Sequence, residues 1–221
     1  MGGEYTMKIL MLNYPYLSEE LRKLGATVVS AGLEQDCDIV CSKSDYHLQY
    51  ILGKIDFRPD FIIFMDSLNR RFPEGLEDSP CPLAAYFIDS TLNRFWQKPF
   101  VEMCSLVMTD QLPEAEDYAK LGINAHWFPL AADDSIYRPM NLEKKYDLCF
   151  IGSRHSANRI KRDNILDRLN SRFNIKIFDG NPPVSAEQAA EIYNSSRITL
   201  NENLFPAVNL RLFEEIGRAH V

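Results

Sequence analysis

The sequence has no long apolar run, no excess of basic residues and no paired cysteines. A membrane-spanning helix needs about 20 predominantly apolar residues, so we expect no integral membrane segment. The net charge of −7 argues against a nucleic-acid partner, because nucleic-acid binding depends on neutralising phosphates with many basic side chains. The N-terminus lacks the apolar core of a signal peptide, which predicts a cytoplasmic protein.

The five cysteines are scattered and odd in number. No Cys-x-x-Cys pair is accompanied by a second pair or by histidines at the spacing of a zinc site. Most of the cysteines lie in or beside apolar segments, where a free cysteine usually acts as a small core residue. We therefore expect neither a disulfide nor a metal site. The sequence also lacks a P-loop, a complete Gly-x-Gly-x-x-Gly fingerprint and a Ser-His-Asp order.

Short apolar runs alternate with amphipathic stretches throughout residues 1–140. The runs are continuous rather than alternating in apolar character, which is typical of parallel strands covered on both faces. The predicted strands are Lys8–Asn13, Thr27–Ser30, Asp38–Ser42, Phe61–Asp66, Leu83–Asp89, Leu106–Asp110 and Ala125–Phe128. The predicted helices are Ser18–Leu24, Asp45–Ile55, Asn93–Met103 and Pro113–Leu121. This order predicts βαβ units and hence a Rossmann-like α/β domain.

A polar segment bracketed by prolines, residues 129–145, has the composition of a linker. We place the first domain at residues 1–140 and a second Rossmann-like domain at residues 141–221. The second series consists of strands Asp147–Gly152, Ile175–Phe178 and Ile198–Leu200, and of helices Ser156–Arg172, Ala186–Tyr193 and one from about Ala207. Three strands are few for a doubly wound domain, so we expect this second domain to be incomplete.

Polar residues end several strands of the first domain, namely Asn13, Asp66, Asp89 with Ser90, and Asp110. Ligands bind beyond the carboxyl ends of parallel strands, so these residues are candidates to line a ligand crevice. The alternative is that they cap the following helices, as Ser90 or Thr91 would do. His126 is a candidate acid–base group, although a lone histidine is more often structural.

The first strand of the second domain ends in the turn Gly152-Ser153-Arg154, which leads into a helix. Glycine lets the backbone approach a ligand, and the N-terminus of a helix attracts anions. Arg154 and Arg159 lie in or just after this turn, so the segment could hold a diphosphate. The alternative is an ordinary strand–helix turn whose arginines face solvent.

Farther along, Asn209, Arg211 and Glu214 lie at the start of the last predicted helix. A carboxylate near a helix start can accept hydrogen bonds from two hydroxyl groups, as a ribose or sugar diol requires. Arg211 and Glu214 are three residues apart and so share one helix face. By spacing alone, a packed helix with a surface ion pair is the better interpretation.

Residues 125–215 resemble the CgeB-like (spore maturation protein) glycosyltransferases, which have the GT-B fold. The matching segments are Trp127–Asp133, Tyr137–Pro139, Tyr146-Asp147, Phe150–Ser153, Tyr193–Ser196, Leu200-Asn201 and Asn209-x-Arg211-x-Phe213-Glu214. The first domain is similar to the family only in its general pattern. The resemblance implies a glycosyltransferase with two Rossmann-like domains, in which the second domain holds a nucleotide-diphosphate-sugar donor.

The resemblance also implies roles for individual residues. Gly152 and Ser153 would meet the diphosphate, and Glu214 would hold the nucleotide ribose. Asn209 and Arg211 would order the surrounding loop. Relatives that retain stereochemistry often carry a second glutamate upstream of the one at Glu214, where this sequence has Pro206.

No metal or separate cofactor is expected, because a helix N-terminus and basic side chains stabilise the leaving diphosphate in that fold. Arg154 and Arg159 are the candidates for this task. The acceptor, an unknown glycan, protein or small molecule, would bind the first domain near Asn13, Asp66 and Asp89. For an inverting enzyme we expect the base to be an aspartate, with Asp89 the first candidate, or His126.

The family continues beyond the last predicted helix with further strands and helices, so we expect this chain to be a truncated fragment with impaired activity. Two alternatives remain open at this stage. One is a non-catalytic sugar-nucleotide-binding or coat-assembly module, which would bind nucleotide without consuming it. The other is an enzyme similar to nucleotide-sugar epimerases, which would convert the donor without an acceptor.

Overall fold

The computed structural model describes residues 6–66, 71–154, 159–180, 183–203 and 207–216. The chain divides into two compact units, Met1–Pro129 and Leu130–Val221. Each unit is an α/β structure built on a parallel sheet, of seven strands in the first unit and three in the second.

The first unit has the strand order β3-β2-β1-β4-β5-β6-β7. Its strands are β1 (Lys8–Leu12), β2 (Thr27–Gly32), β3 (Ile39–Val40), β4 (Phe61–Met65), β5 (Leu83–Phe87), β6 (Leu106–Thr109) and β7 (Ala125–Trp127). Its helices are α1 (Ser18–Lys23), α2 (Leu48–Leu52), α3 (Ser90–Val101) and α4 (Leu112–Lys120), with a 3-10 helix at Leu76–Asp78. The direction in which the chain crosses the sheet reverses between β1 and β4, which is where α/β sheets bind ligands.

Alternate residues of the central strands form the main core of the first unit. Leu10, Phe64 and Phe87 pack in one buried cluster with Phe100 of α3 and Tyr118 of α4. The intervening residues, such as Met11 and Met65, are buried as well. Burial on both faces of the sheet explains why the strands appear in the sequence as continuous apolar runs.

The second unit has the strand order β10-β8-β9. Its elements are β8 (Tyr146–Ile151), α5 (Ile160–Asn170), β9 (Ile175–Phe178), α6 (Ala186–Asn194), β10 (Ser196–Thr199) and α7 (Leu210–Ile216). The central strand β8 places Cys149 in a core with Tyr137, Ala189, Ala190 and Tyr193. The chain passes from β8 to one neighbour and then to the other, so the switch point lies between β8 and β10.

The polar segment before β8 is packed on α6 of the second unit. The side chain of Asn194 donates to the carbonyl oxygen of Arg138 at 3.0 Å and accepts from the amide of Met140 at 2.8 Å. The ammonium group of Lys144 donates to the Asn194 carbonyl at 2.7 Å. These contacts fix a stretch whose composition resembles that of a linker.

The predicted strands agree with the structure to within two residues at each end, whereas several helix ends differ. Helix α2 covers Leu48–Leu52 instead of Asp45–Ile55, because His47 is extended and its side chain accepts the amide of Gln49, and Gly53 follows the last turn. Helix α3 begins at Ser90 instead of Asn93, and α7 begins at Leu210 instead of about Ala207. The predicted start of α5 at Ser156 lies outside the described residues.

All five cysteines are free thiols. Within the described ranges, no group of three or more His, Cys, Asp and Glu side chains is arranged to hold a metal ion. The helices in the same part of the chain include none with the length and apolar character needed to cross a membrane.

Candidate functional site

Asn13 joins three strands at the switch point of the first unit. It has a left-handed backbone conformation, with φ of 79°. Its side-chain amide donates to the carbonyl of Met65 at 2.8 Å, and its side-chain oxygen accepts from the Tyr46 hydroxyl. A Cβ at Gly32 would collide with the Asn13 carbonyl, so that position requires glycine. Asn13 is buried, and these contacts fix the loop that follows β1.

Asp66 is buried at the carboxyl end of β4, beside the same switch point. Its Oδ2 accepts from Gln97 Nε2 at 2.9 Å and from the Ile88 amide at 3.4 Å. Its Oδ1 has no hydrogen-bond partner among the described residues. Burial, with a smaller effect from the charges of Asp89 and Asp110, raises the pKa of Asp66 to about 7. A carboxyl group with this pKa can exchange a proton near neutral pH, as a general acid or base must.

Asp89 lies at the N-cap of α3 with φ of 50° and has an exposed side chain. The start of this helix is capped by Asp110, whose carboxylate accepts from the amides of Asp89 at 3.0 Å and Ser90 at 3.4 Å. The hydroxyl of Ser90 instead pairs with that of Thr109 at 2.7 Å. The capping alternative is therefore wrong for Ser90, which is already inside the helix, and Asp110 caps α3 instead of the helix that follows it, α4.

His126 lies in the edge strand β7 with an exposed side chain, and its Nε2 is 3.1 Å from Asn124 Oδ1. Strand β6 separates β7 from β5, whose carboxyl end carries Asp89. Neighbouring strands are about 4.8 Å apart, so the strands that bear the two predicted catalytic residues are separated by about 10 Å. The structure does not bring Asp89 and His126 together as a pair.

The side chain of Arg211 in α7 lies against the turn that follows β8 in the second unit. A Cβ added to Gly152 would lie 2.7 Å from Arg211 Nη2 and 3.0 Å from Phe150 Cζ. The guanidinium carbon of Arg211 is 5.4 Å from the centre of the Phe150 ring. A side chain at position 152 would displace this guanidinium, the flexible end of Arg211, from the turn.

Arg211 also differs from the neighbouring arginines in its partners. Among the described residues it has no hydrogen bond and no ion pair with a carboxylate. Arg154, by contrast, donates from Nε to Asp163 at 3.0 Å and from Nη2 to Asp167 at 2.7 Å. The charge of Arg154 is thus largely neutralised by α5. Arg159 lies at the N-cap of that helix, half-buried.

Arg162 of α5 connects the two loops that flank the switch point of the second unit. Its side chain is buried, and it donates to the carbonyl of Ser153 at 2.9 Å and to the carboxylate of Glu202 at 2.9 Å. It also donates to the backbone carbonyl of Glu202. Ser153 follows β8 and Glu202 follows β10, so one side chain holds both loops.

Asn209 orders the loop before α7. Its side-chain oxygen accepts from the Leu212 amide at 3.0 Å, which caps the helix, and its amide exchanges hydrogen bonds of 3.1 Å with Asn201. Glu214 accepts a long hydrogen bond of 3.4 Å from the Tyr193 hydroxyl. Burial and the charge of Glu214 raise the pKa of both Tyr137 and Tyr193.

The structure thus brings Gly152, Ser153 and Arg211 together, and it directs Arg154 toward α5. The bridging role of Arg162 was missed, because its partner Glu202 is 40 residues away in the sequence. The only sequence signal for this contact is a glutamate shortly after a predicted strand, which could pair with an arginine of a neighbouring helix. No family model matches the chain, and a search of curated proteins finds no match to it.

Proposed function

We propose that this chain is a glycosyltransferase whose second unit binds a nucleotide-diphosphate-sugar donor. The observation that carries the proposal is the arginine at the glycine turn: Arg211 approaches Gly152 closely and has no carboxylate partner among the described residues. A diphosphate needs charge-assisted donors, and the Arg211 guanidinium at this turn supplies them.

The architecture is compatible with the GT-B arrangement, in which two Rossmann-like domains share the donor and the acceptor. The first unit has its switch point between β1 and β4, and we assign the acceptor to the carboxyl end of these strands. Asp66 is our candidate for the base there, since its pKa of about 7 suits proton transfer near neutrality. Asp89 and His126 stay predictions with weaker structural support.

Within the second unit, we assign the diphosphate to the Gly152–Ser153 turn and to Arg211. Arg162 and Asn209 hold the loops in place through their contacts with Glu202 and with the start of α7. This assignment differs from the sequence-based one, because it gives Arg211 the task that Arg154 and Arg159 were expected to perform.

Calorimetric titration of the chain with UDP, GDP and inorganic pyrophosphate tests the proposal. Arg211→Ala should weaken binding of the preferred nucleotide and of pyrophosphate by about 10- to 100-fold, as expected for losing one charge-assisted contact of about 1.5–3 kcal/mol. Arg197→Ala is the matched control, because Arg197 is an exposed arginine of the same unit. Absence of binding by every nucleotide, or an equal effect of both variants, would refute the proposal.

Turnover separates the transferase from its alternatives. A transferase releases nucleoside diphosphate from the sugar nucleotide when a sugar acceptor is added. An epimerase-like enzyme changes the donor sugar without an acceptor, and a non-catalytic module binds the donor and leaves it unchanged. Chromatography of the donor after incubation, with and without a mixture of candidate glycans, distinguishes the three results.

A further inference from the structure

A cleft of about 650 Å³ opens in the second unit at the carboxyl end of the edge strand β9. One wall is formed by the end of this strand, and the other by α6 and the turn that precedes it. Its lining includes Arg154, Phe178, Asp179, Val184, Glu191 and Ile192.

The cleft adjoins the glycine turn. Ile151 and Phe178 are paired in the parallel sheet, and the Gly152 amide donates to the Phe178 carbonyl at 2.9 Å. Asp179 is the next residue, so its backbone begins beside the turn to which we assign the diphosphate. In nucleotide-binding βαβ units, an acidic residue at the end of the second strand accepts hydrogen bonds from the ribose. Asp179 occupies that position relative to Gly152.

The lining of the cleft matches the two parts of a nucleoside. Phe178, Val184 and Ile192 supply an apolar wall, against which the flat face of a base can pack. Asp179 supplies an exposed carboxylate at the mouth of the cleft, where ribose hydroxyl groups can remain close to the diphosphate.

Glu214, the residue that the family resemblance implies for the ribose, lies in different surroundings. Its carboxylate accepts from the Tyr193 hydroxyl, and its charge acts on the buried Tyr137. These tyrosines belong to the core of the unit. Glu214 is thus engaged with the core of the unit.

We propose that this cleft binds the nucleoside of the donor, with the Asp179 carboxylate accepting hydrogen bonds from the ribose hydroxyl groups. The inference rests on the proposed function, because it assumes that the diphosphate lies at the Gly152 turn. It replaces Glu214 with Asp179 as the ribose ligand.

The test compares ribonucleotides with their 2′-deoxy analogues by calorimetry on the whole chain. The probes are UDP, GDP and ADP, the 2′-deoxy form of whichever binds best, and inorganic pyrophosphate. The unmodified chain should prefer the ribonucleotide by about tenfold, which corresponds to one hydrogen bond to a charged acceptor. Asp179→Asn should reduce this preference to about twofold or less and leave pyrophosphate binding unchanged.

Two further variants complete the design. Asp134→Asn removes another exposed aspartate of the same unit and should keep the preference, as should Glu214→Gln. The inference is overturned if Asp179→Asn keeps the preference, or if Glu214→Gln loses it while still binding pyrophosphate. Those results leave the donor-binding proposal intact, whereas failure of every nucleotide to bind overturns both proposals.

Discussion

Replacement of Asp66 by Asn should make the stability of the first unit less dependent on pH. The ordinary pKa of an aspartate is 3.8, and burial raises that of Asp66 to about 7. Each pKa unit corresponds to about 1.36 kcal/mol, so the folded state prefers the protonated carboxyl group by roughly 4 kcal/mol. The side chain is only 4% exposed, and solvent screening therefore reduces this figure little.

The direction of the effect follows from proton binding. Between pH 3.8 and about 7 the folded state binds a proton at Asp66 that the unfolded state has released. The free energy of unfolding therefore falls as the pH rises through this window, and the loss is complete above pH 7. Between pH 5.5 and pH 8, this residue should lower the stability by about 2 kcal/mol.

Urea denaturation at pH 5.5 and pH 8, followed by the fluorescence of the two tryptophans, measures the effect. The free-energy difference between Asp66→Asn and the unmodified chain should shift by about 2 kcal/mol in favour of the variant between these pH values. Asp78→Asn is the control, since it removes an exposed carboxylate from the same unit. An equal difference at both pH values would mean that Asp66 is already ionised at pH 5.5, and the reasoning from burial would be wrong.

Three other substitutions test how the second unit is held together. Arg162→Met should lower the free energy of unfolding by about 3 kcal/mol, because it leaves Glu202 without its buried partner. Urea denaturation measures this loss. A change below about 1 kcal/mol would contradict the assigned bridge. Ser185→Ala should cost about 1 kcal/mol by removing the capping box at the start of α6. Gln188→Ala should lower the stability by a similar amount, and the double variant should lose less stability than the sum of the two, since the two side chains form one reciprocal capping box. Thermal melts in which the two losses are strictly additive would argue against this box.

The sheet of the first unit could be predicted because each of its strands is marked by a short apolar run in its own segment of the sequence. Continuous apolar runs such as Lys8–Leu12 and Phe61–Met65 need no information from elsewhere in the chain. The ends of α2 and α3 were harder to predict from the sequence. They depend on the side chain of His47 and on Asp110, which reaches the start of α3 from a different strand.

The candidate site was predictable at Gly152 and only partly elsewhere. A glycine after a buried strand marks a close approach, but the sequence does not show which arginine makes it. Arg154 is adjacent in sequence and yet pairs with Asp163 and Asp167, nine and thirteen residues later. Arg211 reaches the turn only because α7 folds back onto β8. The raised pKa of Asp66 likewise comes from burial that no local pattern indicates.

The bridge made by Arg162 bears on the kinetics of ligand binding as well as on stability. Because one side chain holds both Ser153 after β8 and Glu202 after β10, these two positions are fixed before a ligand arrives. Binding then loses less conformational entropy than it would with two independent loops. We expect association in a single fast step, without a slow loop rearrangement, and an affinity governed by how quickly the ligand leaves.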